Sequence, residues 1–414
     1  MKSNHATPAD PRRRALLAGS ASAAVAAGFA AVGANALAQT PPAAPAIAAA
    51  SPKPLPAYVS WKDPSAMIVH SSATVETKRS AFGSGVVTPA DRLYVRNNLP
   101  SPPVEIATDR NAWQVSVEGV RNPRTLSVAE LKTLGLETLT MVLQCSGNGR
   151  GFFPSKPSGT AWQVGAAGCV VWSGVPVREV VAALGGMADG MLYMTSTGGE
   201  KIPEGVDPKS VMVERSVPVA AMADALLAWE MNGAPLPVAH GGPLRVVVPG
   251  FTGVNSVKYV KRLAFTAEQS PAAIQQTGYR MSAPDEKGKP SDPSVWEMAP
   301  KSWINAPLPE GGTLRAGPVV IQGVAFGGIN AAAKVEVSID GGASWKAARL
   351  VGPDMGRYAW RQFALATTLP AGSHTLMSRV TDSKGTVQAE ARIENAGGYG
   401  NSSWRDHAVA VTVA

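Results

Sequence analysis

Apolar positions along this chain fall in short runs broken by glycine, proline and small polar residues, with little of the spacing that a long amphipathic helix requires. Between about residues 91 and 265 the runs read as strands: Trp113-Gln-Val-Ser-Val117, Leu139-Thr-Met-Val-Leu143, Val170-Val-Trp172, Leu192-Tyr-Met194 and Leu244-Arg-Val-Val-Val248. Helical turns are expected over 127–134, where Ser127 and Glu130 have capping-box spacing, and over 177–184. This half predicts a mixed α+β arrangement. After a polar, proline-rich crossing at 282–300 the pattern changes to longer alternating strands. Val335-Glu-Val-Ser-Ile-Asp340 runs into Gly341-Gly342 and Ser344-Trp345 as a hairpin would, and further strands are expected at 319–324, 358–365, 375–380 and 408–413. Residues 301–414 therefore predict an immunoglobulin-like β-sandwich.

The amino-terminal end follows different rules. Arg12, Arg13 and Arg14 precede an alanine- and glycine-rich apolar run that closes on Ala36-Leu37-Ala38, which reads as a twin-arginine-type signal peptide over 1–38. The expectation is export in folded form to the periplasm and a mature chain without a membrane span. Residues 39–89 read as a Pro/Ala-rich linker, to about Pro56, and an N-terminal extension. The leader holds four basic residues (Lys2, Arg12, Arg13, Arg14) and one acidic residue (Asp10), so the formal charge of +8 becomes +5 without it. The remaining cations are scattered and not interleaved with aromatics, which argues against nucleic acid as a partner and suits a small oxyanion. With 45% hydrophobic and 16% charged residues, the 414-residue chain has enough apolar surface for two cores.

Three segments carry candidate chemistry. In Leu143-Gln-Cys-Ser-Gly-Asn-Gly-Arg-Gly-Phe-Phe153 a cysteine ends an apolar strand and enters a glycine-rich turn, where backbone N–H groups and Arg150 would favour a thiolate. Two readings stay open for Cys145: a ligand or nucleophile, or a disulfide partner of Cys169, the second of two cysteines. In Leu93-Tyr-Val-Arg-Asn-Asn-Leu-Pro100 a strand delivers an arginine and two amides to a loop. From Ala225 to Leu263, His240-Gly-Gly-Pro-Leu-Arg245 and Ser256-Val-Lys258 set cations on rigid turns, as a pocket for an anionic group would. The remaining histidines lack metal-ligand spacing, and neither a nucleophile elbow, a phosphate loop nor a dinucleotide fingerprint is present.

Taken in this order, the three segments resemble the sulfite oxidase family of molybdenum-cofactor oxidoreductases, and the wording of the cysteine turn is similar to that of bacterial sulfite and sulfane dehydrogenases. The resemblance runs from about residue 90 to the C-terminus. It implies a molybdopterin-binding catalytic domain over 90–300 and an immunoglobulin-like dimerisation domain over 301–414. It implies that Cys145 ligates the metal, that Tyr94, Val95, Arg96, Asn97 and Asn98 border the pterin, and that His240, Arg245, Ser256, Val257 and Lys258 hold the cofactor. Arg96, Arg150 and Tyr279 become catalytic candidates, and Trp162 a substrate-pocket residue. The function implied is oxidation of sulfite to sulfate on molybdenum-molybdopterin. With no haem segment in this chain, electrons would pass to a separate cytochrome c, and the enzyme would be a homodimer. Two positions depart from the family pattern: Asn98 stands where many members carry histidine, and Gly397 where the animal enzymes carry a substrate arginine. They leave room for a protein-bound sulfane as substrate. A secreted non-redox binding module stapled by a Cys145–Cys169 disulfide is the alternative from a different class.

Overall fold

The computed structural model of the chain describes residues 53–83 and 85–414; the expected leader and the linker up to residue 52 lie outside them. The N-terminal extension is built into the fold. Strands β1 (Met67–Ser71), β2 (Thr74–Thr77) and β3 (Val95–Arg96) form an antiparallel sheet in which Thr74 stands opposite Arg96. Its small core joins Val59, Met67, Val75 and Val95 to Ala239, so the extension anchors the strand that carries Arg96.

Two five-stranded sheets follow. One holds β4 (Gln114–Glu118), β5 (Arg124–Ser127), β8 (Tyr193–Gly198), β9 (Glu214–Pro218) and β13 (Val260–Thr266) in the order β5-β4-β13-β8-β9, with β4 and β13 parallel. The other holds β6 (Glu137–Gln144), β7 (Ala167–Pro176), β10 (Leu226–Met231), β11 (Ala234–Pro235) and β12 (Arg245–Val247). Val117 and Leu263 of the first pack with Val175, Leu227 and Val246 of the second. Helices are short, as the pattern implied: α1 (Val128–Leu131) with both halves of the Ser127–Glu130 capping box, α2 (Val177–Ala183), α3 (Pro208–Val211) and α4 (Ala273–Gln276). Among the described residues no helix is long and apolar enough to cross a membrane.

Strand β7 reads as a continuous apolar run because both its faces are covered. Opposite one another across the β6–β7 ladder, Met141 and Val170 join one apolar cluster, while Val142 and Cys169 join another that includes Trp303 and Trp360.

The C-terminal β-sandwich is a seven-stranded antiparallel array in the order β14-β15-β18-β17-β16-β19-β20, where β14 is Lys301–Ala306, β15 Gly317–Phe326, β16 Ala332–Ser338, β17 Lys346–Val351, β18 Arg361–Leu369, β19 Gly372–Asp382 and β20 Val409–Val413. The array folds back so that Ser302 of β14 meets Ser378 of β19 at 3.0 Å, and Ile304, Ile321, Val335, Phe363, Leu376 and Val411 fill the space inside. The β16–β17 hairpin turns where expected, with Asp340 accepting from the Ser344 N–H at 2.9 Å and Gly341 at φ +73°.

Candidate active site

Cys145 follows the last residue of β6 and starts a turn that is over-determined by hydrogen bonds. Its N–H donates to Ala166 O (2.9 Å), its carbonyl accepts from Asn148 N (2.9 Å), and the Asn148 amide links Gln144 Oε1 (3.0 Å) to Ala166 N (3.1 Å). Three carbonyls of the turn are held by the C-terminal sandwich and its last loop: Ser146 O by Gly400 N (2.9 Å), Asn148 O by Lys301 Nζ (3.0 Å) and Gly149 O by Asn401 Nδ2 (3.0 Å). A Cβ at position 147 would lie 2.4 Å from the Arg150 guanidinium, so any larger residue there displaces that side chain.

Both cysteines are free and buried. Cys145 belongs to the apolar cluster on one face of β6 and Cys169 to the cluster on the other, since successive strand residues alternate in direction. The disulfide reading is thereby corrected, because the two thiols point away from each other across the sheet. Burial pushes the Cys169 thiol up to about 12, as expected of an inert packing residue.

The Cys145 side chain lines a pocket. Eleven of the fourteen residues expected at the site meet on its wall: Tyr94, Arg96, Asn97 and Asn98 from one segment, His240, Arg245, Ser256, Val257 and Lys258 from another, with Cys145 and Tyr279. Arg245 is buried and donates to His240 O (2.8 Å) and Ser256 O (3.0 Å); Lys258 Nζ donates to Asn97 Oδ1 and Ala239 O, both at 2.7 Å. Behind His240 lies Lys62, its Nζ 3.1 Å from Nε2 of the ring.

The charges of this wall are not balanced. Arg96, Arg245 and Lys258 line it, Lys62 stands behind, and Glu200 is the one carboxylate among the lining residues. Burial, then repulsion from Arg245, Arg96 and Lys62, drives the Lys258 ammonium well below its ordinary range, with Glu200 only partly offsetting it. Burial and the cations at Lys62, Lys258 and Arg245 do the same to His240, and burial brings Lys62 to about 7. Asn97 Nδ2, on the same wall, is buried without an acceptor. Unpaired buried cations and an orphaned donor around one cavity fit an anionic guest rich in oxygen atoms.

Three expected site residues lie off the wall. Val95 turns the opposite way from Tyr94, as neighbours in a strand must, and packs with Val59 and Val75. Trp162 is fully buried behind Tyr94, ring centroids 6.1 Å apart and nearly perpendicular. Arg150 donates to Gly397 O (2.8 Å) and Thr160 O (3.1 Å), away from the thiol, and its guanidinium lies over the Tyr399 ring (5.3 Å). Tyr399 in turn stacks on Tyr279, centroids 5.1 Å apart, and Arg215 lies against the Tyr279 ring (5.5 Å). The place beside Gly397 is filled: a Cβ there would sit 2.0 Å from the Tyr399 ring.

Sequence reasoning missed Lys62, Glu200, Arg215 and Tyr399. Arg215, in the mixed stretch Glu214-Arg-Ser-Val-Pro218 of β9, gave no usable signal, yet it is 1% exposed and donates to Asn255 Oδ1, Ile274 O and Ser294 Oγ. Among the described residues no group of three or more His, Cys, Asp or Glu is placed to hold a metal.

Comparison with known proteins points the same way. Residues 101–274 match the family model described as the oxidoreductase molybdopterin binding domain, and residues 292–413 the model for the Mo-co oxidoreductase dimerisation domain. The chain is 33% identical to sulfite oxidase of Gallus gallus over 340 residues, covering 77% of this chain and 72% of that protein. It is 31% identical to sulfite oxidase of Arabidopsis thaliana, covering 80% and 89%, and 33% identical to the mitochondrial sulfite oxidase of Homo sapiens, of whose length it spans 62%. Among solved structures, the sulfane dehydrogenase SoxCD from Paracoccus pantotrophus has a similar fold, with a TM-score of 0.69 at 24% identity over 84% of this chain and 88% of that one.

Proposed function

The chain belongs to the sulfite oxidase family of molybdenum-cofactor oxidoreductases, and from that premise we propose that it oxidises sulfite to sulfate in the periplasm and passes the electrons to a separate cytochrome c. The observation that carries the reading is a free thiol, Cys145, on the wall of a pocket where Arg96, Arg245 and Lys258 face a single lining carboxylate, Glu200. Cys145 is assigned as the protein's sulfur ligand to molybdenum, and Arg245, His240, Lys258 and Lys62 as the groups that balance the cofactor's negative charge. Bound there, the cofactor supplies the two-electron oxidation and oxygen-atom transfer that side chains cannot perform.

The remaining work falls to the chain. Arg96 on the pocket wall attracts and orients the oxyanion, and the Tyr279 hydroxyl donates a hydrogen bond and holds a proton at the site of oxygen exchange. Arg150, screened from the pocket by Tyr399, acts on the substrate only through that ring or after the ring moves. A second reading, oxidation of a protein-bound sulfane, is favoured by that same corner: the 397 position carries no cation, and an aromatic ring occupies the space. Export by the twin-arginine route rests on the arginine-led segment at 12–14, and homodimerisation on the dimerisation-domain match over 292–413.

The test is a steady-state assay of metal-loaded protein with sulfite and excess cytochrome c. Turnover supports the sulfite reading, while silence with sulfite and turnover with a sulfane-carrying partner protein supports the second. Protein purified with its pocket intact but unable to take up molybdenum rejects both.

A further inference from the structure

We infer that Lys301 is a positioning residue for the metal: a buried ammonium behind the Cys145 turn that raises the reduction potential of the centre Cys145 ligates. The inference rests on the assignment of Cys145 as molybdenum ligand.

Lys301 opens β14, the first strand of the C-terminal sandwich, and is 1% exposed. Its Nζ makes one hydrogen bond, to Asn148 O at 3.0 Å, three residues beyond Cys145 in the metal-ligand turn. Among the described residues it forms no ion pair. The nearby carboxylate, Asp406, is already engaged by Arg392 Nη1 (2.7 and 2.9 Å) and by Asn401 Nδ2 (2.8 Å). The other ionisable neighbours are cationic or neutral: Arg79 donates its guanidinium to the carbonyls of Ile304 and His407, and the buried His407 ring has no hydrogen-bond partner.

A lone ammonium in such a place is expensive to bury unless an anion lies within range. Burial lowers the Lys301 pKa to about 7, and the two groups that hold the charge on it are Asp406 and the Cys145 sulfur. Arg245, likewise buried and without an ion pair among the described residues, lines the pocket that holds the Cys145 thiol, and Lys301 reaches the same turn at the Asn148 carbonyl. A positive charge near a metal–thiolate stabilises its more electron-rich, reduced state, and a hydrogen bond into the ligand's turn transmits any change of geometry as well. Charge and geometry can be separated by substitution, since glutamine keeps a donor and arginine keeps the charge.

The experiment is a redox titration of metal-loaded protein, following the paramagnetic state by electron paramagnetic resonance, for wild type, Lys301→Gln, Lys301→Arg and Lys301→Arg with Asp406→Asn. The inference expects Gln to lower the midpoint potential by at least a tenfold change in the reduced-to-oxidised ratio, about 59 mV for a one-electron couple. Arginine should stay near wild type, and Asp406→Asn, added to Lys301→Arg so that the cation cannot lose its proton, should shift the potential upward. The opposite signs keep the test decisive even if Lys301→Gln does not fold. A wild-type-like potential in either charge-changing variant at full metal content, or shifts of the same sign in both, would show Lys301 to be a structural clamp only. A wild-type protein that takes up no molybdenum overturns the ligand assignment itself, and the inference falls with it.

Discussion

Replacing Lys62 by methionine tests whether the pocket's cations are held in reserve for an anionic guest. The Lys62 side chain is 2% exposed, with Nζ 2.6 Å from Ala90 O, 2.7 Å from Leu93 O and 3.1 Å from His240 Nε2. Burial brings its pKa to about 7, against about 10.4 for a lysine in an unfolded chain. Between those values the unfolded chain holds a proton that the folded, cofactor-free protein has released, so stability rises with pH across the window. Each pH unit is worth at most about 1.4 kcal/mol, so the window amounts to about 5 kcal/mol. Methionine has similar length and no charge, and it abolishes this dependence. It also leaves two carbonyls without their donor, at about 1–3 kcal/mol each. Cofactor-free wild type and variant should therefore have similar thermal midpoints near about pH 6, and the wild type should become progressively more stable toward about pH 10. In the loaded protein a charged hydrogen bond worth about 1.5–3 kcal/mol is lost, so cofactor should be retained about ten- to a hundredfold less tightly. Thermal midpoints against pH and molybdenum content after dialysis measure the two effects. A variant that keeps the wild-type pH slope, or retains cofactor as well as wild type, refutes the reasoning.

Other outcomes follow from the same geometry. Unfolded without reductant, the protein should expose two reactive thiols per chain, and Cys169 should resist alkylation in the native state; a thiol count of zero would restore the disulfide. Cys145→Ser should fold with wild-type circular dichroism and show neither bound molybdenum nor turnover, and an active variant would remove the ligand assignment. Gly165→Ala places a Cβ 1.7 Å from Thr77 O, forcing the β7 approach away from β2, and should cost at least about 1–3 kcal/mol in urea unfolding. Gel filtration of the mature protein should give the mass of a dimer, and a monomer would remove the oligomer proposal while leaving the chemistry in place.

Much of this molecule was legible in its sequence because the informative residues sit in contiguous motifs. The strand ending in Cys145, the Tyr94–Asn98 segment and the His240–Lys258 block each carry several site residues at fixed spacing, and folding brings them to one wall. What escaped was set by direction and burial. Val95 shares a motif with its neighbours although strand alternation turns it away, and Arg150, which its place in the cysteine turn makes a substrate-pocket candidate, is aimed at Gly397 and Tyr399. Lys62 stands alone in a stretch without a motif, and only its long-range contacts to Ala90, Leu93 and His240 reveal it as part of the site. The opposite orientations of Cys145 and Cys169 became readable only from the register of β6 against β7, which sets Val142, and not Cys145, across from Cys169.

The three carbonyls of the Cys145 turn that are bonded by Lys301, Gly400 and Asn401 impose an order of events on the making of the enzyme. Those partners lie about 150 to 250 positions downstream of the turn, two of them shortly before β20, so the turn stays unfinished until residues 400 and 401 have left the ribosome. A nascent or truncated chain has the thiol without the frame that aims it. The thiol is framed only after the C-terminal sandwich and the loop at 400–401 have been made and have closed on the turn.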